Sequence, residues 1–291
     1  MKVVLHGLKL KASQFTHIEN LLSELSRHSV EIFLTNRLRK ELKKISSIDL
    51  PIKELSDENG LAQMDFLISI GGDGTMLDAI CEVGSHEIPI LGLNTGRLGF
   101  LATVATEDIS KAVKFLVEGD YQIESRSLIS LHSEKTLFDG LNFALNEFTI
   151  HKRDTSSMIT VHTYIDGTYL NSYWADGLIV STPTGSTGYS LSCGGPLISP
   201  EAKNFVITPV SPHNLNVRPI IVSDESEISF EIEGRSKKFL ISLDSRSTSI
   251  SPKVRLTVKK EKFSAKLVKL PEYHFFDTLR QKLNWGFDMR N

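Results

Sequence analysis

The feature that most restricts the fold is a change of sequence pattern near residue 121. Before that point, short apolar runs of strand length alternate with stretches in which apolar residues recur every three or four positions. The apolar runs occupy residues 2–5, 30–34, 66–70 and 88–93. The helical stripes consist of Ile18, Leu21, Leu22 and Leu25, and of Ile109, Ala112, Val113 and Leu116. Buried strands that alternate with amphipathic helices predict an α/β domain with a parallel sheet of Rossmann or flavodoxin type.

After residue 121, strand-like runs follow one another with turn signals between them and few helical stretches. Asp166-Gly167, a strong hairpin signal, separates residues 160–165 from residues 168–170. Further pairs of runs flank Glu233-Gly234 and a lysine-rich turn, at 228–232 with 239–243 and at 254–258 with 263–268. This pattern predicts an all-β sandwich.

The end of the chain returns to a helical pattern, with Phe276, Leu279 and Leu283 on one face. Because a single amphipathic helix must bury its apolar face, we expect it to pack on the first domain. The predicted organisation is an α/β domain at 1–121, a β-sandwich domain at 122–269, and a C-terminal helix at 270–291 that returns to the first domain.

The composition narrows the class of protein. The 291 residues include 33 Lys and Arg against 35 Asp and Glu, which gives a formal net charge of -2. A surface that attracts nucleic acid is therefore not expected, and an anionic ligand must be held by local geometry. The two cysteines, Cys81 and Cys193, build neither a metal site nor a disulfide framework. Since no apolar run is long enough to span a bilayer, we expect a cytoplasmic protein without a membrane partner.

A glycine-rich loop follows the apolar run 66–70. Gly71, Gly72 and Gly74 surround Asp73, and a helical stretch follows Thr75. Glycine lets the backbone approach a ligand closely, and a helix N-terminus offers unpaired N–H groups to a phosphate. Because open α/β sheets bind ligands at such strand ends, Gly71, Gly72 and Thr75 are predicted to form a phosphate loop. A ligand-free turn between strand and helix would use the same residue types.

Asp73 is the acidic residue of this loop. A negative charge near a helix N-terminus is stabilised by about 0.3–1 kcal/mol when exposed, so we expect a carboxylate. Such a group can take a hydroxyl proton late in phosphoryl transfer, because the loose transition state makes little early demand on the nucleophile. It can equally help to hold Mg²⁺, or cap the helix without any chemistry.

Other nucleotide-binding signatures are absent from the sequence. It contains no G-x-x-x-x-G-K-[ST] motif and no G-x-G-x-x-G motif. A P-loop enzyme and a hydride-transferring Rossmann enzyme are therefore both disfavoured.

The stretch Gly71 to Thr75 resembles the GGDGT signature that NAD kinases share with diacylglycerol-type and sphingosine-type lipid kinases and, more distantly, with phosphofructokinases. Further stretches are similar to NAD kinases in particular. They are NTGRLGFL at 94–101, Asn146-Glu147, DGLIVSTPTGSTGYSLS at 176–192, Gly194-Gly195-Pro196, and residues 211–219. The resemblance covers most of the chain in the right order. It implies an α/β domain followed by a β-sandwich domain that binds NAD.

The resemblance also implies an activity, which is phosphorylation of the 2′-hydroxyl of the adenosine ribose of NAD to give NADP. It implies NAD and ATP, or polyphosphate, as partners, and Mg²⁺ or another divalent cation as cofactor, with no metal ligand assigned. A homo-oligomer, dimer or tetramer, is expected as well. The sequence leaves open the phosphoryl donor, the choice between NAD and NADH, feedback by reduced cofactors and the subunit number.

Carried over residue by residue, the resemblance assigns Asp73 as the catalytic proton acceptor at the 2′-hydroxyl. Gly74 lets the ligand lie against bare backbone, Asn146 reads an adenine edge, and Glu147 accepts sugar hydroxyls. Asp176 accepts from an amide or amine. The other predicted NAD contacts are Thr187, Gly188, Tyr189, Ser190, Leu191 and Ser192. They combine small residues and hydroxyls with one aromatic ring.

Several positions depart from the commonest pattern of this family. Gly188 replaces an alanine, which is expected to widen the pocket. Trp174 stands where many relatives carry a charged or small residue, and Asp244-Ser245-Arg246 replaces an Asp-Gly-Gln turn. Arg97 and Arg246 are each either phosphate contacts or exposed loop residues.

The sequence leaves two alternatives to the NAD kinase function that the resemblance implies. The first is a kinase of the same superfamily that acts on a lipid or another alcohol, and the second is an inactive nucleotide-binding sensor. Asn146-Glu147 and the polar block 176–192 favour a nucleotide over an acyl chain. The intact Asp73 argues against an inactive sensor.

Overall fold

The structure is a computed structural model, and it describes residues 1–45, 52–55, 60–153 and 157–285. Helices and strands are numbered in chain order. The helices are α1 (Phe15–Arg27), α2 (Asn36–Ile45), α3 (Asp73–Val83), α4 (Ile109–Glu118), α5 (Tyr189–Ser192) and α6 (Phe275–Leu283). The strands are β1 (Lys2–His6), β2 (Glu31–Leu34), β3 (Lys53–Glu54), β4 (Phe66–Gly71), β5 (Ile90–Asn94), β6 (Val104–Ala105), β7 (Gln122–Arg126), β8 (Ile129–Ser133), β9 (Phe143–Ala144), β10 (Glu147–Lys152), β11 (Ile159–Ile165), β12 (Thr168–Ala175), β13 (Gly177–Ser181), β14 (Asn204–Val210), β15 (Ile220–Ser223), β16 (Ile228–Glu233), β17 (Phe239–Leu243), β18 (Arg246–Ile250), β19 (Leu256–Lys260) and β20 (Ala265–Lys269).

The chain divides into two units, Met1–Ser125 with Ala265–Asn291, and Arg126–Ser264. The first unit is built on a sheet of order β3-β2-β1-β4-β5-β20-β7, with β6 paired to β5. All neighbouring strands along the path β3-β2-β1-β4-β5-β20 are paired in parallel, as are β5 and β6. The predicted α/β domain with a parallel sheet is therefore confirmed.

Helices cover both faces of this sheet. The two predicted helical stripes are buried, in α1 and in α4, and pack with Leu91 and Leu93 on one face. On the opposite face, α3 approaches so closely that a Cβ on Gly92 would lie 2.9 Å from the sulfur of Met76. Helix α2 was not predicted, because among its residues of described burial only Leu38 and Leu42 are buried and apolar, in a highly charged segment.

The second unit is a sandwich of two antiparallel sheets, with orders β15-β14-β13-β10-β17-β18 and β12-β11-β16-β19-β8-β9. The two sheets share one core, in which the rings of Phe148 and Phe230 are 5.8 Å apart. The predicted hairpin is present, with Ile165 opposite Thr168. Its turn residues Asp166 and Gly167 both have positive φ, as a type I′ turn requires. The predicted β-sandwich is confirmed.

Two of the strand pairs singled out in the sequence do not form hairpins. β16 and β17 lie in different sheets of the sandwich, and β20 leaves the sandwich to join β5 in the first unit. β7 also belongs to the first sheet, and Lys269 of β20 forms an ion pair of 2.9 Å with Glu124 of β7. The units therefore divide at 125/126 and 264/265, rather than at the predicted 121/122 and 269/270.

Helix α6 lies on the first unit. Its Leu279 is buried, whereas Phe276, which the sequence placed on the buried face, is 61% exposed. Lys282 donates a hydrogen bond of 2.6 Å to the backbone oxygen of Leu98 and lies over the ring of Phe100. Residues 286–291 of the predicted C-terminal segment lie outside the described residues. In the part of the chain that the structure describes, no helix is both long and apolar enough to cross a membrane.

Candidate functional site

The glycine loop connects β4 to α3, as predicted. Gly71 ends β4 and packs so tightly on Thr75 that a Cβ there would lie 2.2 Å from the Thr75 hydroxyl. Gly72 and Gly74 are exposed, and a Cβ on either would meet nothing within 4 Å. A ligand can therefore reach bare backbone on either side of Asp73, next to the N-terminus of α3.

The carboxylate of Asp73 is bound by three consecutive backbone N–H groups. Phe100 donates to Oδ2 at 2.8 Å, while Leu101 and Ala102 both donate to Oδ1 at 3.0 Å. Gly99 makes this approach possible, since a Cβ there would lie 1.9 Å from Oδ1. A carboxylate offers about four acceptor positions, so three bonds leave about one, and it lies on Oδ2.

Asn94, at the end of β5, holds the loop that carries these three N–H groups. Its side chain donates to the backbone oxygens of Arg97 at 2.6 Å and Ala102 at 3.1 Å, and accepts from Gly96 N at 2.7 Å. The sequence placed Asn94 in a family motif but gave it no role. Arg97 is exposed in the same loop.

The second predicted group lies in the other unit and begins with Asn146 and Glu147 at the start of β10. Three consecutive N–H groups here donate to the carboxylate of Asp244, from Leu145 at 2.9 Å, Asn146 at 2.8 Å and Glu147 at 3.1 Å. Asp244 N donates back to the Glu147 oxygen at 3.0 Å. Asp244, which the sequence noted only as part of a turn, therefore fixes the backbone of this pair.

The carbonyl side of the same turn is held by residues of the 176–192 block. Thr182 donates from its hydroxyl to the Leu145 oxygen at 2.5 Å and from its N–H to the Asn146 oxygen at 2.9 Å. A Cβ on Gly185 would lie 2.1 Å from the same Asn146 oxygen. These contacts explain why the block needs threonine and glycine at these positions, independently of any ligand.

Glu147 is half-buried and carries an unusual proton affinity. Burial and the nearby carboxylate of Asp244 raise its pKa to about 7, although a hydrogen bond from the Tyr189 backbone opposes the shift. Its Oε2 is buried and has no hydrogen-bond partner among the described residues. A Cβ on Gly188 would lie 3.1 Å from that oxygen. The glycine at 188 therefore leaves room beside Glu147, as the sequence led us to expect.

The structure places the other residues of the 187–192 run differently. Tyr189 and Ser192 are exposed, and Thr187 and Leu191 are half-buried. Ser190 is fully buried, and its hydroxyl is paired with the hydroxyl of Thr208 at 2.8 Å. In this conformation Ser190 can contact a ligand only through its backbone.

Asp176 and Tyr189 flank His151 on the same side of the second unit. The rings of His151 and Tyr189 stack with centroids 5.5 Å apart, and Asp176 pairs with Lys152 at 2.5 Å. Burial lowers the pKa of His151, and the negative charge of Asp176 opposes that effect. The exposed ring of Tyr189 is therefore stacked on His151 and lies near the carboxylate of Asp176.

Arg246 has a structural role in this conformation. It donates to the backbone oxygens of Leu141 and Phe143 and lies over the Phe143 ring. Arg246 is half-buried and begins β18, so it is not the exposed loop residue of the second interpretation given for it.

The described residues include no group of three or more His, Cys, Asp and Glu that could hold a metal ion. This chain therefore builds no all-protein cage for a divalent cation within the described ranges. Mg²⁺ commonly takes only one or two carboxylates beside substrate phosphates, and Oδ2 of Asp73 is a suitable oxygen for that arrangement.

The predicted residues thus fall into two groups, one in each unit. In the first unit, Gly71 to Thr75 are brought together with the loop 94–102. In the second unit, Asn146 and Glu147 are brought together with Gly188, and Asp176 with Tyr189 through His151. The supporting contacts of Asn94, Thr182 and Asp244 were missed, because each side chain bonds to backbone groups, and those of Thr182 and Asp244 belong to residues distant in sequence.

Comparison with known proteins identifies the family of the chain. The sequence-family model of the ATP-NAD kinase N-terminal domain matches residues 8–121, and the family model of the C-terminal domain matches residues 145–270. The chain is 53% identical to an NAD kinase of Cytophaga hutchinsonii and 45% identical to one of Flavobacterium psychrophilum, in each case over 100% of both chains.

Solved structures give the same result. An NAD kinase from Archaeoglobus fulgidus in complex with ATP is 28% identical, with a TM-score of 0.77 over 98% of this chain and 99% of that one. The yeast NADH kinase complexed with NADH shares the fold, with a TM-score of 0.87 and 23% identity over 100% of this chain and 89% of that one. Matches to both domain models and to relatives over the whole chain show that this protein belongs to the ATP-NAD kinase family.

Proposed function

We propose that this protein is an NAD kinase that transfers a phosphoryl group from ATP, or a related donor, to the 2′-hydroxyl of the adenosine ribose of NAD. The observation that carries the proposal is the carboxylate of Asp73. It lies between two exposed glycines at a helix N-terminus, and three backbone N–H groups leave about one acceptor position on Oδ2. Family membership supports the same activity.

In the proposed reaction the 2′-oxygen attacks the terminal phosphorus of the donor, and the bond to the leaving diphosphate breaks. The transition state is loose, so the hydroxyl proton leaves late and passes to Oδ2 of Asp73. The three N–H bonds hold the carboxylate in one orientation, which places the acceptor before the reaction begins. The exposed backbone at Gly72 and Gly74, beside the N-terminus of α3, suits the phosphates of the donor.

The second unit supplies the proposed NAD contacts. Asn146 offers both donors and an acceptor to an adenine edge, and its backbone is held by Asp244 and Thr182. Because the pKa of Glu147 is about 7, its carboxyl can donate to a sugar hydroxyl or accept from one near neutral pH. Asp176 and the exposed ring of Tyr189 are suited to an amide and to a flat base. Thr187, Gly188, Ser190, Leu191 and Ser192 complete the proposed contact segment.

A divalent cation, Mg²⁺ by preference, is proposed as cofactor. When bound, it would neutralise the charge that develops on the transferred phosphoryl group. Asp73 has an acceptor position to spare at the phosphate loop, and we infer that the donor phosphates provide other ligands.

We further propose that the protein is a cytoplasmic homo-oligomer. The edge strands β12 and β15 of the sandwich carry exposed apolar side chains, with Tyr169 at 53% and Ile221 at 51%. Exposed edges of this kind readily pair with another copy. Sedimentation velocity of the purified protein measures the subunit number, and a monomer across the accessible concentration range would contradict this part of the proposal.

The activity is tested by incubating the purified protein with Mg-ATP and NAD and locating the new phosphate by ³¹P NMR. The expected product carries it on the 2′-oxygen of the adenosine ribose. NADH and polyphosphate are offered in parallel to establish acceptor and donor preference. A panel of lipid alcohols serves as the comparison, and turnover of a lipid without turnover of NAD would overturn the proposal.

A further inference from the structure

A polar cluster around the buried side chain of His6 joins three elements of the first unit, one of which is the helix that follows the glycine loop. His6 ends β1, Asp78 lies in α3, and Arg37 lies at the start of α2. His6 Nε2 is 3.0 Å from Asp78 Oδ2, and Arg37 donates to the other oxygen of the same carboxylate. The cluster shares no residue with the proposed reaction or with the predicted site.

His6 is the unusual member, because its side chain is completely buried. The contact with Asp78 is within hydrogen-bond distance but not well aligned, and neither ring nitrogen has another partner among the described residues. Ser69, which pairs with His6 across β1 and β4, is also buried, and no described residue is a partner for its hydroxyl. Burying such groups is unfavourable, so their presence in the core calls for a specific role.

Asp78 is the residue through which the cluster acts on α3. Burial alone would raise the pKa of Asp78, but its contacts with His6 and Arg37 outweigh that effect and lower it. Asp78 is five residues beyond Asp73, about 7.5 Å along the same helix. A displacement of the helix at Asp78 is therefore transmitted to its first turn.

Helix α3 is consequently held at two points, in its first turn by Asp73 and in its second turn by Asp78. On the β5 side, Asp73 binds the N–H groups of residues 100–102. On the β1 side, Asp78 contacts His6, and Arg37 adds an outer contact. Both contacts are made by residues of the same helix, so each contributes to the position of α3 beside its buried apolar residues Met76, Ala79, Ile80 and Val83.

We propose that His6 is a positioning residue, which holds α3 through Asp78 and thereby sets the place of the spare oxygen of Asp73. The consequence for catalysis rests on the proposed NAD kinase activity, whereas the effect on the position of Asp73 does not. A misplacement of about 1 Å at a reacting group lowers a rate by about 100-fold, so a small shift of α3 is sufficient.

Two substitutions at the same position separate positioning from packing. In His6→Gln the side-chain amide reaches the place of Nε2 and can donate to Asp78. In His6→Asn the amide reaches only the place of Nδ1, and Asp78 loses its inner partner. Arg37→Gln is the outer control, because Arg37 is 55% exposed and an exposed ion pair contributes little.

The primary readout is hydrogen exchange at the backbone amides of Phe100, Leu101 and Ala102, which donate to Asp73. We expect exchange at all three to be about 10-fold faster or more in His6→Asn, while His6→Gln and Arg37→Gln stay within about twofold of the parent. For NAD phosphorylation we expect kcat to fall about 10- to 100-fold in His6→Asn with little change in KM for NAD.

Unchanged exchange in His6→Asn, or equal acceleration in His6→Asn and His6→Gln, overturns the inference. If His6→Asn does not fold, Asp78→Asn replaces it with the same expected exchange and kcat, and unchanged exchange there is equally decisive. Absence of NAD phosphorylation by the unmodified protein refutes the proposed function alone, because the exchange measurement still decides the role of His6.

Discussion

Two aspartates in different units of this protein bind the backbone in the same way. Asp73 accepts from the N–H groups of residues 100–102, and Asp244 accepts from those of residues 145–147. In both cases the first N–H donates to Oδ2 and the next two donate to Oδ1. The two carboxylates differ in what surrounds them.

Asp73 begins a helix and has an exposed glycine on either side, so its remaining acceptor position is beside open backbone. Asp244 lies in a turn next to Glu147 and Arg246, and burial raises its pKa despite the three N–H bonds and Arg246, which lower it. Its charge acts on Glu147, whose pKa it helps to raise. The comparison teaches that the hydrogen-bond pattern alone does not distinguish the proposed reacting carboxylate of Asp73 from Asp244, whereas the exposed backbone on either side of Asp73 does.

The largest expected effect comes from removing the acceptor at Asp73. Asp73→Asn keeps the shape of the side chain but replaces Oδ2 or Oδ1 with an amide that cannot accept a proton. We expect kcat to fall about 10²- to 10⁴-fold, while the Kd for NAD, measured by calorimetry, changes little. An unchanged kcat would refute the role of Asp73 and remove the basis of the comparison.

A smaller effect is expected from displacing the Asp73 carboxylate without changing it. In Gly99→Ala the new Cβ would lie 1.9 Å from Oδ1, so the carboxylate must move, and we expect kcat to fall about 100-fold. Gly96→Ala is the matched control in the same loop, because its Cβ would lie 3.9 Å from the Asn94 side chain. Equal activity of the two variants would show that the position of Asp73 does not matter.

Substitution of Asp244 is expected to weaken NAD binding rather than slow the chemical step. Asp244→Asn has one oxygen left for three N–H groups, and an unpaired buried N–H costs about 1–3 kcal/mol. We expect KM for NAD to rise about 10-fold with kcat within about threefold, and Ser245→Ala in the same turn to be neutral. A loss confined to kcat would make Asp244 resemble Asp73 and break the distinction between them.

The last expected effect is on stability rather than on activity, and it depends on pH. The pKa of Glu147 is raised to about 7 in the folded protein from an ordinary value of 4.5, so the folded state holds a proton that the unfolded state releases. Its stabilising contribution is complete below the ordinary pKa and is lost as the pH rises through about 7. Relative to Glu147→Gln, the parent should lose about 2–3 kcal/mol of unfolding free energy between pH 5 and pH 8.

Urea unfolding of the two proteins across this range measures the difference. Parallel curves would show that Glu147 ionises normally, and the influence assigned to Asp244 would then be wrong.

Local patterns predicted most of the first unit. The stripes at Ile18 to Leu25 and Ile109 to Leu116 became α1 and α4, and the apolar runs became β1, β2, β4 and β5, because periodicity reports which face is buried. Helix α2 was missed, since Leu38 and Leu42 are the only buried apolar residues among those of its residues whose burial the structure describes. Strand β20 was placed in the wrong sheet, because pairing depends on neighbours distant in sequence.

The candidate site likewise contains parts that local sequence reports and parts that it does not. The GGDGT-like loop, Asn146-Glu147 and the 176–192 block are contiguous, so the sequence alone could nominate them as candidates. The contacts of Asp244, Asn94 and His6 join residues that are not neighbours in sequence. Asp244 is 99 residues from Leu145, Asn94 is 8 residues from Ala102, and His6 contacts Asp78 in another element. No local sequence pattern reports such contacts. The raised pKa of Glu147 was unforeseen for the same reason, since it depends on burial and on Asp244.

The most direct test of this account is a crystal structure of the protein with NAD bound. We predict that the 2′-hydroxyl of the adenosine ribose lies about 3 Å from Oδ2 of Asp73, with Oδ1 still bound to the N–H groups of Leu101 and Ala102. A ribose whose 2′-hydroxyl faces another side chain, with Asp73 bound only to its own loop, would contradict the central claim.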